Sequence, residues 1–140
     1  MKKETMVCTD FWSDSEGVMM TPQDKYFYLY LLSNSRTNHI GVYKITKKQM
    51  AFDLGYTIET VHLLMERFIQ HHNLIRYNLE SRVIGIKNWG KHNPYDNFKH
   101  VLDCMYSELK NVCDTSLISY VSQSIQGQEI RSLYESFCNN

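Results

Sequence analysis

Residues 21–33 place apolar side chains on nearly every side of a helical wheel, which predicts a helix buried on more than one side. Thr21-Pro22-Gln23-Asp24 supplies its start. The threonine can cap, proline suits the first turn, and the aspartate sits at the positive end of the helix dipole. Ser35 to Gly41 is polar and turn-rich, and Val42 to Ile45 reads as a short strand. Thr46-Lys47-Lys48-Gln49 opens a second helix that ends at Gly55, and Thr57 caps a third that runs to about His72. Leu74–Tyr77 and Arg82–Trp89 read as two strands joined through Asn78-Leu79-Glu80-Ser81. Asn93-Pro94-Tyr95-Asp96 starts a further helix, whose stripe is Phe98, Leu102, Met105, Leu109 and Val112. Two short helices around Gly127, over 117–125 and 130–137, complete the pattern.

The order helix, strand, helix, helix, strand, strand predicts an α+β, mainly α fold: a winged helix-turn-helix with a C-terminal helical extension. Residues 1–20 form an N-terminal arm, 21–93 the winged-helix domain and 94–140 the extension. The corner of the motif is Ala51, small where two helices approach, then Gly55 at the turn, with Met50, Leu54, Val61 and Leu64 inward. In the third helix Val61, Met65, Phe68 and His72 point inward, so Glu59, Leu63, Glu66 and Gln70 face out. Two carboxylates on that face suit a protein contact or plain solvation better than a DNA groove. Thr60 and Arg67, at its edge, can reach DNA if the helix docks obliquely.

Charge alters this picture modestly. The chain is neutral, yet residues 36–91 carry nine Lys/Arg against four Asp/Glu, whereas residues 101–140 carry two against five. A mildly basic module precedes a mildly acidic tail. Lys47 and Lys48 at a helix start, and Arg76, Arg82, Lys87 and Lys91 on or beside the hairpin, are the candidate phosphate contacts, alongside Thr60 and Arg67. Phe11, Trp12, Tyr26, Tyr28 and Tyr30 are candidate self-association contacts, and Glu59, Leu63 and Glu66 a candidate protein-docking face.

Other chemistry finds little support. Cys8, Cys104, Cys113 and Cys138 are scattered, without a Cys-x-x-Cys pair, and read as reduced thiols, mostly packed. His62 and Glu66 make half a metal site, and His71-His72 point to different helix faces, so no metal is expected. No phosphate-cradling glycine loop, nucleophile elbow or His-Glu-x-x-His is present. The expectation is a non-enzymatic protein without cofactor or small-molecule substrate. No apolar run approaches the ~20 residues that span a bilayer, and no apolar leader follows Met1, so a cytoplasmic location is expected.

Four elements also carry a resemblance. They are Phe11-Trp12-Ser13-Asp14, the stretch Lys25 to Asn38, Gly41-Val42-Tyr43-Lys44-Ile45, and Ile86-Lys87-Asn88-Trp89-Gly90-Lys91-His92-Asn93. Together they resemble the N-terminal winged-helix domain of phage and prophage replication proteins of low-GC Gram-positive bacteria, the group related to the primosome protein DnaD. The resemblance spans about residues 9–110. It implies an assembly role in replication initiation, with self-association through the winged-helix part, a partner such as a helicase loader, and weak DNA binding dominated by phosphates. In that group a separate C-terminal helical domain supplies much of the DNA binding, and the last forty residues here are too few and too acidic to match it. Two alternatives stand beside this reading: a protein-interaction module without DNA binding, and a winged-helix transcriptional regulator.

Overall fold

The computed structural model describes residues 9–13, 20–92 and 99–138. It is α+β and mainly helical, with one small antiparallel sheet. A 3-10 turn over Thr9–Trp12 precedes α1, Pro22–Ser33. The Thr21 hydroxyl accepts from the Asp24 amide at 3.1 Å, which starts α1 as its sequence predicts. Phe27, Tyr28, Leu31 and Leu32 are all buried, so this helix is central.

Strand β1, Val42–Lys44, leads into α2, Lys47–Leu54, capped by Thr46. Gly55 ends α2 in the left-handed region at φ 72, which costs glycine little. Thr57 then caps α3, Ile58–Gln70, by accepting from the Thr60 amide at 3.1 Å. Met50, Ala51 and Leu54 of α2 and Val61, Leu64, Met65 and Phe68 of α3 are buried, and the two helices pack against each other. Strands β2, Ile75–Asn78, and β3, Val83–Ile86, form a hairpin, with β3 central in the order β1-β3-β2. Tyr43 and Tyr77 both stand opposite Ile84. The Asn78 Oδ1 accepts from the Glu80 and Ser81 amides, each at 3.0 Å, which closes the predicted connection.

The strand predicted to reach Trp89 stops at Ile86 instead. Trp89 starts α4, Trp89–His92, and its buried indole donates to the His39 carbonyl at 3.0 Å. The ring lies where a Gly41 side chain would be, and Gly41 has φ 74. Trp89 thus leaves the sheet to fill the space that Gly41 keeps open. The helix start predicted at Asn93 to Asp96, with Phe98, lies outside the described residues.

Helix α5, Lys99–Lys110, buries Met105 and Leu109. Asp114 caps α6, Thr115–Ser122, and α7 spans Gln128–Glu135. Helix α6 packs on the sheet over Gly85, whose Cβ position lies at contact distance, 3.5 Å, from both Leu117 and Val121. Tyr134 of α7 donates to the Ile40 carbonyl at 2.9 Å. One cluster of buried side chains runs from Phe11 through the sheet to Tyr134. The helices read as an extension therefore complete the core of the residues before them. Among the described residues no helix is long and apolar enough to cross a membrane.

Candidate nucleic-acid interface

Asp24, on the first turn of α1, carries a side chain only 3% exposed. Its Oδ1 accepts from Arg67 Nη2 at 2.6 Å and Nε at 3.1 Å, and its Oδ2 faces His72 Nε2 at 3.0 Å. Burial works to raise the Asp24 carboxyl, but the bonds from His72 and Arg67 outweigh it and hold it below the usual carboxylate value. This corrects the expectation for Arg67. Its guanidinium ties α3 to α1, because an unpaired carboxylate at that depth would be costly. Thr60 is likewise occupied: its Oγ1 accepts from Thr57 Oγ1 at 3.0 Å, within the cap of α3.

The remaining candidate cations differ in how free they are. Lys47 Nζ lies 3.0 Å from His62 Nδ1, and His62 Nε2 lies 3.4 Å from Glu66, so these three groups form a surface chain. Lys48, the next residue along α2, is exposed. The Arg76 guanidinium sits 4.3 Å over the Tyr120 ring of α6. Burial pushes the Tyr120 phenol up to about 12, and Arg76 works against that shift. Lys87 is half-buried, and Arg82 is exposed. Lys91 lies in α4, and its side chain falls outside the described residues.

The aromatic candidates separate into buried and exposed groups. Phe11 and Tyr28 are 1% exposed and pack on each other, with ring centroids 5.6 Å apart. Both are corrected from contact surface to core, since Phe11 packs on Tyr28 and Tyr28 in turn on Phe68. Tyr30 donates to Asp53 Oδ2 at 2.6 Å and fastens α1 to α2. Trp12 and Tyr26 remain exposed, but Tyr26 leans on Tyr56 whereas Trp12 stands beside Phe11.

The outward face of α3 is as its period predicts: Glu59, Leu63 and Glu66 are exposed, Leu63 by 60%. Two further exposed apolar residues of the helix pair were missed in sequence, Phe52 on α2 at 83% and Ile58 on α3 at 53%. The signal for Phe52 was available. With Met50, Ala51 and Leu54 inward, position 52 must point out. Arg36 and Lys44 were also missed. They line a groove with Arg82, formed by the loop after α1, β1, the hairpin turn and the end of α5. Strand alternation around Tyr43 offered a signal for Lys44, and nothing periodic marks Arg36.

Among the described residues no group of three potential metal ligands comes together. Comparison of the chain with family models, with curated proteins and with solved structures found no match.

Proposed function

We propose that this chain is a winged-helix assembly protein of the replication-initiation type, resembling the DnaD-related phage proteins, that works through protein contacts and non-specific phosphate contacts. The corner of α2 and α3, with the β2–β3 hairpin as the wing, supports that fold: its elements follow in winged-helix order around a left-handed glycine turn. The observation that carries the function is the outward face of α3. A base-reading helix presents donors and acceptors to base edges. This one presents Leu63 between Glu59 and Glu66, and Ile58 at the start of α3 and Phe52 on α2 are exposed as well. Carboxylates there repel phosphates, while exposed apolar groups ringed by charge suit a protein partner.

Self-association uses the exposed apolar positions, among them Trp12, Tyr26 and Leu63. Phosphate contact falls to cations without an ion pair among the described residues, such as Lys48 and Arg82. A helicase-loading partner would meet the same α3 face. Light scattering of the full chain beside Leu63→Lys is the test. We expect the wild-type chain to be larger than 16.6 kDa and the variant to fall toward that mass with its unfolding midpoint unchanged. A wild-type chain that stays monomeric at all concentrations would contradict the assembly role.

A further inference from the structure

Arg36, Lys44 and Arg82 come from three separate segments and converge on one groove of about 690 Å³. Each is positioned through its backbone. The Arg36 amide donates to Asn34 Oδ1 at 2.9 Å, and Lys44 stands opposite Val83 across β1 and β3. Arg82 adopts φ 60, which lets its amide donate to the Asn78 carbonyl at 2.7 Å while its own carbonyl accepts from the Ile45 amide at 2.9 Å. All three side chains are exposed, and none forms an ion pair among the described residues.

Two carboxylates share the lining. Glu108 is already bound, since the amide and Nδ1 of His39 each lie 2.9 Å from its oxygens. Glu80 is exposed on the hairpin turn without a side-chain partner among the described residues. The lining thus carries three cations against Glu80 and the already bound Glu108, so positive charge predominates and favours an anion in the groove. The groove is open to solvent and lined by Asn38 and Asn111 besides the cations from three segments, which suits a phosphate backbone passing across it better than a single enclosed ion.

We propose that this groove takes the phosphodiester backbone of DNA, with Arg36, Lys44 and Arg82 as its phosphate contacts. The two guanidinium forks can each meet a phosphate through paired N–H groups, and Lys44 adds a point charge. DNA then lies along the β1 side of the sheet and leaves the α3 corner open to a protein. The proposal rests on the phosphate-contact reading above and locates it.

The test is a fluorescence-anisotropy titration of the full chain on a labelled duplex over a salt series. Wild type is compared with the Arg36→Gln/Lys44→Gln pair and with Glu80→Gln. We expect the pair to lower the slope of log affinity against log salt by about two, as loss of two phosphate contacts requires. Glu80→Gln should tighten binding, by about twofold or more, because it removes a repelling charge from the lining. A paired variant that keeps the wild-type slope overturns the groove and leaves non-specific binding standing. A wild-type chain that does not bind at low salt overturns both.

Discussion

At the scale of single residues, Asp24 has the largest energetic consequence. Its carboxylate is nearly out of water and is held by Arg67 and His72 from the far end of α3. Removing it as Asp24→Ala leaves a guanidinium without its partner. Because Arg67 is 38% exposed and can regain water, we expect a loss toward the low end of the roughly 3–5 kcal/mol typical of broken buried pairs. Chemical denaturation at neutral pH measures it. The same carboxylate imposes a pH dependence. Its folded-state pKa is depressed, so its stabilisation is fully present above the unfolded value, about 3.9, and is lost as pH falls through the folded value. The wild-type unfolding midpoint should therefore drop below about pH 4. Asp24→Asn should show a shallower drop over that window. Equal slopes for the two proteins would mean that Asp24 does not carry the acid response.

At the scale of elements, two glycines with nearly the same φ make opposite predictions. Gly55 has φ 72 and open space around its Cβ position, so Gly55→Ala meets only backbone strain, about 1–2 kcal/mol. Gly41 has φ 74, and an added Cβ would fall onto the Trp89 ring, within 2.6 Å of its Cβ. Gly41→Ala should cost the same strain plus overpacking, together about 3 kcal/mol or more. Thermal unfolding of both variants checks the difference, and equal losses would contradict the packing of Trp89 on β1. The two glycines also show what was legible beforehand. Gly55 was readable, because helix periods on both sides of it and a capping threonine agree on a turn. Trp89 was not. A Val-Ile-Gly-Ile run continuing into Lys-Asn-Trp reads as one strand, and only the tertiary contact with Gly41 turns the chain out of the sheet. The outward face of α3 was legible for the same local reason as Gly55. The Arg36, Lys44 and Arg82 groove was not, since its members come from a loop, a strand and the hairpin turn that only the tertiary fold brings together.

At the scale of the whole molecule, the C-terminal helices belong to the core. Leu117, Ile118, Tyr120, Val121, Ile125, Ile130 and Tyr134 are all buried, and α6 seats on Gly85. Burying one such side chain contributes about 1.5–3 kcal/mol, so losing seven removes about 10–21 kcal/mol, as much as or more than the ~5–15 kcal/mol that holds a domain folded. A chain ending at Asp114 should therefore lose cooperative unfolding and expose apolar surface, read by calorimetry. A cooperative transition in that shortened chain would show the helices to be dispensable. Acidic charge after residue 100 made this segment look like a tail, because net charge reports on surface and says little about which apolar positions are covered.

These scales meet in one proposal: that DNA is held by its phosphates while α3 faces a protein. The most direct measurement is the affinity of the full chain for two duplexes of unrelated sequence, each titrated at about 50 and about 200 mM salt. We expect equal affinities for the two sequences and a steep loss of both at the higher salt. A strong preference for one sequence that persists at the higher salt would contradict it, because α3 would then be reading bases.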